Sequence, residues 1–261
     1  PKYLNTGDTL LYRKGDQLYT AGDTDTLKSG LATPVLVEGP MDAIAITLAG
    51  HGRYLGVAAL GTSLTTDQAR QLATWPATPI IATDNDPAGQ LAAERDFWIL
   101  TTHGVDPRAV TLPPGHDPAS IVTALGCDTL ASRLEQAPLI GDELLHRHLT
   151  TRTGVDTEAA LHLIAARPET VWKDNLSLAA ERLAQSAEAL ATPLLAAANT
   201  WTCAPLAASQ QRLDALTARP VPLTPSEDSQ QHMRTRGGRD VGRDSLDAAE
   251  DRPPTRSPER S

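Results

Sequence analysis

Residues 34–133 alternate short apolar runs with helical stretches, and this alternation limits the possible folds more than any other feature of the chain. The apolar runs are PVLVEG, LGVAAL, PIIATD and AVTL, and the stretches between them have helical character. Strands that alternate with helices are joined by right-handed crossovers and pair mainly in parallel. The runs show little period-two alternation, as expected for strands buried on both faces. The sequence therefore predicts an α/β fold with a mainly parallel sheet flanked by helices.

The regions on either side differ in composition. Short extended runs broken by Gly and Asp precede the alternating region, and only helical patterns follow it. The last part is rich in Pro, Ser, Arg and Asp, and it cannot bury enough apolar surface to offset its ordering entropy. We therefore predict four parts: a lead-in at 1–33, an α/β domain at 34–133, a helical subdomain at 134–218 and a disordered tail at 219–261.

The composition also narrows the class of protein. A formal net charge of −9 supplies no global positive field, so nucleic acid would have to bind a local patch. Cys127 and Cys203 lie far apart, which excludes a disulfide framework and a zinc ribbon. Trp172 and Trp201 fall at helical spacing among Ala and Leu, so we expect core residues. With no signal peptide and no apolar run of about 18 residues, we expect a cytoplasmic protein without a membrane partner.

Acidic side chains follow three of the predicted strands. Glu38 ends the first run, with Asp42 in the first turn of the next helix. Asp84 and Asp86 end PIIATD, and Asp117 lies in the loop PPGHDPAS after AVTL. The carboxyl ends of parallel strands gather at one edge of the sheet, and hard divalent cations prefer oxygen ligands. Because clustered acids repel one another without a cation, the pattern predicts a site for one or two Mg²⁺ ions.

Each of these acids also has a structural interpretation. Asp117-Pro118 is a favourable helix start, with Asp as N-cap and Pro at the first helical position. Asp42 suits the positive end of its helix. Turn chemistry accounts for the Pro-Ala-Gly that follows Asp86 but not for Asp86 itself. The coincidence of acids at three strand ends, rather than any single residue, favours a metal site.

These motifs carry a family resemblance. In this order and spacing, LVEGPMDAIAI, ALGTSLTTDQ, IIATDNDPAGQLAAERD and LPPGHDPASIV resemble the Toprim domain of bacterial DnaG-type DNA primases. The opening PKYLNTGDTLLYRKGDQLY resembles the primase segment just before Toprim. The good match covers residues 1 to about 125 and is only positional beyond 134. The resemblance implies a Toprim fold and a primase catalytic region that makes RNA primers on single-stranded DNA by metal-dependent nucleotidyl transfer.

The resemblance also implies roles for individual residues. Catalytic roles fall on Glu38, Asp84 and Asp86; ligands of Mg²⁺ or Mn²⁺ would be Glu38, Asp42, Asp84, Asp86 and Asp117. Nucleotide or template contacts fall on Lys2, Tyr3, Asn5 and Lys14. Lys14 is the favoured phosphate contact, because it lies beside Gly15, where backbone can approach closely. The implied partners are single-stranded DNA, ribonucleoside triphosphates and, as a further candidate, a replicative helicase.

Two departures from the family pattern leave alternatives open. The family loop commonly reads Gly-x-Asp-Pro-Asp, whereas GHDPAS has Ala119 at the second acidic position, which predicts weaker binding of a second metal and reduced activity. This sequence begins at Pro1, and the zinc-binding module and first half of the polymerase core that the resemblance implies before this point are not part of it. The alternatives are a Toprim nuclease and a degenerate, non-catalytic Toprim module that binds nucleic acid. The primase-like lead-in favours primase over nuclease.

Overall fold

A computed structural model describes residues 14–60, 63–150 and 156–218 of the chain. The strands in these ranges are β1 Tyr19–Thr20, β2 Thr33–Val37, β3 Tyr54–Ala58, β4 Ile80–Ile81 and β5 Arg108–Ala109. The first six helices are α1 Thr24–Lys28, α2 Pro40–Gly50, α3 Thr66–Ala73, α4 Pro87–Thr101, α5 Pro118–Leu125 and α6 Cys127–Glu135. The others are α7 Ile140–Thr150, α8 Thr157–Ala166, α9 Trp172–Leu183, α10 Ala187–Cys203 and α11 Pro205–Ala218. Short 3-10 helices span Lys14–Asp16 and Glu169–Val171.

The strands form one mixed sheet in the order β1-β3-β2-β4-β5. Only the edge strand β1 is antiparallel to its neighbour, and the other pairs are parallel. Val37 lies opposite Ala58, and Leu36 lies opposite Ile81. The carboxyl ends of β2, β3 and β4 therefore meet at one edge, and the predicted mainly parallel sheet is confirmed.

Helices cover both faces of the sheet, and each face has its own apolar core. On one face, α2, α5 and α6 pack over buried residues such as Val35, Ile80 and Ile121. On the other face, α3 and α4 enclose Leu36, Ile81 and their neighbours. Fully burying an aliphatic side chain of this size contributes about 1.5–3 kcal/mol. The sheet thus holds the strand ends between two apolar layers.

The second core continues into the helices after residue 139. Trp98 of α4 stacks on Trp201 of α10, with ring centroids 5.6 Å apart and an interplanar angle of 16°. Ser209 Oγ donates a hydrogen bond to the Trp98 carbonyl oxygen at 2.8 Å. Trp201 is buried and Trp172 is packed against the same core, which confirms the expectation for both tryptophans. The described residues belong to one compact unit, while the domain boundary near 133 stays a prediction.

Local structure departs from the sequence prediction at several elements. Residues 24–28 form a helix within the region predicted as extended, because the Asp23 carboxylate accepts the Asp25 N–H at 2.9 Å and caps it. Helix α6 was not expected. The run PIIATD pairs only at Ile80–Ile81, since the chain then leaves the ladder to begin α4.

Residues 1–13 and the predicted disordered tail lie outside the described residues. No helix in the described ranges is long and apolar enough to span a membrane.

Candidate functional site

Three helices begin at the edge where the acidic strand ends meet, and each begins with proline. Pro40, Pro87 and Pro118 open α2, α4 and α5. Proline suits the first helical position, where its missing N–H would have no intrahelical partner. The positive ends of the three helices therefore point toward the predicted carboxylates, and helix dipoles stabilise nearby negative charge.

Glu38 lies in the bend directly after β2, next to the end of β3. Although much of the residue surface is exposed, partial desolvation of the carboxylate raises the pKa of Glu38, and the charges of Asp84, Asp42 and Asp86 raise it further. A hydrogen bond from the Asp84 backbone lowers this pKa in part. Three of the other four predicted metal-site acids are thus close enough to act on Glu38, and Glu38 holds a proton more readily than an ordinary glutamate.

Asp42 and Asp117 connect the first helix of the site to α5. The N–H of Ala119 donates to Asp42 Oδ1 at 3.4 Å, a long hydrogen bond. Asp117 is the N-cap of α5, and its carboxylate accepts the Ser120 N–H at 2.7 Å. The Ser120 hydroxyl donates to the Asp117 carbonyl oxygen. The structural role weighed for Asp117 is therefore present, and the Asp117 charge is not among those that raise the pKa of Glu38.

Asp86 has a structural role that the sequence interpretation missed. It is the N-cap of α4, and its Oδ1 accepts the Gly89 N–H at 2.7 Å. Gly89 lies against the preceding strand end, and a Cβ on it would overlap the Asp84 carbonyl oxygen. The interpretation that gave Asp86 no structural role was wrong: Asp86 caps α4 ahead of Pro87, just as Asp117 caps α5 ahead of Pro118.

The site's donor chemistry suits a hard divalent cation, although its present geometry is open. In the parts of the chain that the structure describes, no three His, Cys, Asp or Glu side chains are arranged to hold a metal ion. Glu38, Asp42, Asp84 and Asp86 nevertheless offer carboxylate oxygens at one edge, where desolvation and the three aspartates raise the pKa of Glu38. Mg²⁺ binds through one or two carboxylates and keeps several waters, so few ligands need to converge.

The predicted nucleotide contacts fall at the start of the chain. Lys2, Tyr3 and Asn5 lie outside the described residues. Lys14 opens a 3-10 helix that packs against α3. Thr65, the N-cap of α3, donates its hydroxyl to the Gly15 carbonyl oxygen at 2.5 Å. The lead-in therefore contacts the segment that follows β3.

Three buried or half-buried polar residues around the site were missed. Gln68 has no exposed surface, and its side chain forms hydrogen bonds with the backbone of Thr65, Gln17 and Ala59. Asp96 is buried on α4, where desolvation raises its pKa to about 7 and a hydrogen bond from the Leu64 backbone lowers it in part. Asn85 donates to the Leu112 carbonyl oxygen at 2.7 Å, joining the segments after β4 and β5. Only Gln68 had a local signal, since Thr65 and Gln68 have capping-box spacing.

Comparisons with known proteins show which proteins this chain and its fold resemble. A sequence model of the Toprim-like family matches residues 35–122. A DNA primase of Clostridium acetobutylicum is 34% identical over 165 residues, covering 63% of this chain and 27% of the primase. The Escherichia coli primase catalytic core superposes with a TM-score of 0.57 at 29% identity, over 71% of this chain and 62% of that chain. A DnaG primase catalytic domain bound to single-stranded DNA gives the same TM-score and identity, over 71% and 61%. The match spans about a quarter of the Clostridium primase.

Proposed function

The chain carries a Toprim domain of the DnaG primase type, and we propose that this domain supplies the nucleotidyl-transfer centre of a DNA primase. Such a centre adds ribonucleotides to an RNA primer on single-stranded DNA in the cytoplasm. The observation that carries the proposal is the meeting of Glu38 with Asp42, Asp84 and Asp86 at one edge of the sheet, where desolvation and then the three aspartate charges raise the pKa of Glu38.

The metal proposed for this edge is Mg²⁺ or Mn²⁺. Asp84 and Asp86 would hold it, with Asp42 and Glu38 as further oxygen donors and Asp117 at the neighbouring helix start. When bound, the metal neutralises charge on the phosphates and on the attacking 3′-hydroxyl. Ala119 leaves the α5 side of the site with one carboxylate fewer than the family pattern, so we propose that a second metal binds more weakly.

Glu38 is the residue proposed to accept a proton. Its carboxylate lies at the same edge as Asp84, Asp42 and Asp86, and a carboxylate positioned there can take up a proton during the transfer. The proton would come from the 3′-hydroxyl of the primer. Asp86 has a second task, because its bond to the Gly89 N–H holds the first turn of α4 beside Asp84.

The lead-in is proposed to bind the nucleotide. Lys14 would contact its phosphates, while Lys2, Tyr3 and Asn5 are proposed to contact nucleotide or template. Ribonucleoside triphosphates and single-stranded DNA are the proposed partners, and a relative of similar fold is described bound to single-stranded DNA. A replicative helicase is a further proposed partner.

The test is template-directed primer synthesis by this chain with ribonucleoside triphosphates and Mg²⁺. The chain is expected to make primers, and Asp84→Ala is expected to abolish synthesis. Glu181→Ala serves as a matched control, because Glu181 is an exposed acid on α9. Cleavage of the template, lost in Asp84→Ala, would identify a nuclease instead. DNA binding that is unaffected by Asp84→Ala, without synthesis, would identify a non-catalytic module.

Because the chain spans about a quarter of its primase relative, metal binding needs a separate measurement. Titration with Mn²⁺ followed by electron paramagnetic resonance reads the site without a template. Binding that Asp84→Ala weakens and Glu181→Ala leaves unchanged supports the metal site. Equal binding by all three chains would contradict it.

A further inference from the structure

Gln68 lies at the third position of α3, where a capping-box side chain normally meets only its own helix start. Its Oε1 accepts the Thr65 N–H at 3.0 Å, which completes the capping box. Its amide nitrogen makes two more bonds, to the carbonyl oxygens of Ala59 at 2.8 Å and Gln17 at 2.7 Å. The side chain of Gln68 is fully buried, and its bond to the Ala59 carbonyl oxygen is buried as well.

The three partners belong to three different segments. Thr65 is the N-cap of α3, and Ala59 directly follows β3. Gln17 lies in the lead-in, 51 residues away from Gln68. Thr65 strengthens the last connection, since its hydroxyl donates to the Gly15 carbonyl oxygen. Together, Gln68 and Thr65 attach both ends of the segment 15–17 to the start of α3.

This attachment lies beside the proposed catalytic edge. Val37 pairs with Ala58, so the residues that follow them, Glu38 and Ala59, leave the sheet side by side. The next residue, Leu60, has a left-handed backbone with φ 56, which a non-glycine residue holds only when its surroundings enforce it. The bond from Gln68 to the Ala59 carbonyl oxygen restrains the backbone directly before Leu60.

A second buried side chain restrains the far end of the same connection. The carboxyl group of Asp96 accepts a hydrogen bond from the Leu64 backbone, and Leu64 is itself buried. The charge of Glu38 also acts on Asp96. Ala59 after β3 and Leu64 before α3 are therefore held by side chains of α3 and α4.

We propose that Gln68 is a positioning residue for the incoming ribonucleoside triphosphate. Its amide holds the segment that begins with Lys14 against the end of β3, and so fixes that segment relative to the carboxylates that act on the same nucleotide. The inference rests on the proposed function and deepens it. A nucleotide held between Lys14 and the acidic edge needs both parts at a fixed separation, and loss of that separation weakens binding more than chemistry.

Primer synthesis by Gln68→Glu tests this role, because the change keeps the shape of the side chain and removes both amide donors. We expect KM for the ribonucleoside triphosphate to rise about tenfold and kcat to stay within about twofold, as for the loss of two hydrogen bonds that act in binding. Gln71→Glu is the matched control on the same helix, and its KM is expected to stay unchanged.

A second pair of variants covers the case in which Gln68→Glu does not fold. Thr65→Val removes the hydroxyl that reaches Gly15, and Thr65→Ser keeps it. Thr65→Val should raise KM for the ribonucleoside triphosphate, whereas Thr65→Ser should leave it at the wild-type value. Unchanged KM in active Gln68→Glu and Thr65→Val chains, or an equal rise in Gln71→Glu, would overturn the positioning role alone. A wild-type chain no more active than Asp84→Ala would overturn the proposed function, and this role with it.

Discussion

The first turn of helix α4 passes so close to the end of strand β4 that a Cβ on Gly89 would overlap the Asp84 carbonyl oxygen. The Gly89 N–H simultaneously donates to Asp86 Oδ1, and its carbonyl oxygen accepts the Thr83 hydroxyl at 3.0 Å. Asp84 and Asp86 are therefore positioned by a contact that only glycine permits.

Gly89→Ala should displace α4 from the strand end. Overpacking of this kind costs about 1–3 kcal/mol of unfolding free energy, and we expect Mn²⁺ affinity to fall with it. Ala88→Ser is the control, because Ala88 is exposed in the same turn. Thermal unfolding and Mn²⁺ titration measure the two effects. A Gly89→Ala chain with wild-type Mn²⁺ affinity would show that the close approach does not position the acids.

The capping and charge roles of Asp86 can be separated. Asn caps helices about as well as Asp, so Asp86→Asn should keep stability within about 0.5 kcal/mol while it weakens Mn²⁺ binding. Asp86→Ala should weaken binding and also lose about 1 kcal/mol of stability. Asp156→Asn is the control, since Asp156 caps α8 with a bond to the Ala159 N–H at 2.9 Å. If Asp86→Asn bound Mn²⁺ like the wild type, Asp86 would be a cap and not a ligand.

Ala119→Asp should supply the acid that the family pattern has at this position. The Ala119 N–H already donates to Asp42 Oδ1, so a carboxylate at 119 would join the same edge. We expect half-maximal primer synthesis at a several-fold lower Mg²⁺ concentration. Ala124→Asp places an acid on the exposed part of the same helix and should change nothing. Unchanged Mg²⁺ dependence in Ala119→Asp would mean that position 119 does not limit metal binding.

Asp96 should make stability depend on pH. Burial raises the pKa of Asp96 from 3.8 to about 7, so between these values the folded state keeps a proton that the unfolded state has released. Stability should therefore fall as pH rises from about 4 to about 7, with a slope of up to about 1.4 kcal/mol per pH unit. Asp96→Asn should flatten this slope, whereas the exposed Asp174→Asn should not. Urea unfolding at a series of pH values decides between the two, and an unchanged slope in Asp96→Asn would contradict the assignment.

The buried guanidinium of Arg167 connects the helical region to the α/β layers. Its Nε donates to Asp106 at 3.0 Å and its Nη1 donates to Asp142 at 2.7 Å, with no side-chain exposure at Arg167 itself. Arg167→Met leaves the mostly buried carboxylate of Asp106 without its partner. The free energy of unfolding should therefore fall by about 3 kcal/mol or more. Arg182 is exposed, so Arg182→Met should change the free energy of unfolding by no more than about 0.5 kcal/mol. A small effect of Arg167→Met in chemical denaturation would show that the ion pairs are not needed.

Local patterns predicted the order of β2 to β5 with the helices between them and the acids at the strand ends, but not α1 or α6. The carboxylates of Glu38, Asp84 and Asp86 could be placed together because parallel strands end at one edge. Strand lengths could not be predicted: only Ile80–Ile81 of the run at 79–84 is paired as a strand, although Pro79 and Ala82 on either side are also buried. Helix α4 begins five residues after Ala82.

Long-range polar partners were beyond reach of the sequence. Gln68 bonds Gln17 across 51 residues, and Arg167 reaches Asp106 across 61 residues, so nothing near either residue indicates its partner. The cap at Asp86 is different. Asp86-Pro87 is the same local pattern as Asp117-Pro118, which was interpreted as a helix start. The cap at Asp86 was missed because the residues around it were interpreted as a turn.

Helix α4 has the proposed catalytic edge at one end and the helical region at the other. Its 15 residues form a rod of about 22 Å whose first turn is capped by Asp86 and whose last turns carry Trp98. Trp98 stacks on Trp201, so the helix that begins with the cap at Asp86 also supplies an aromatic contact to the helical region. The proposed catalytic edge and the helical region therefore share one structural element.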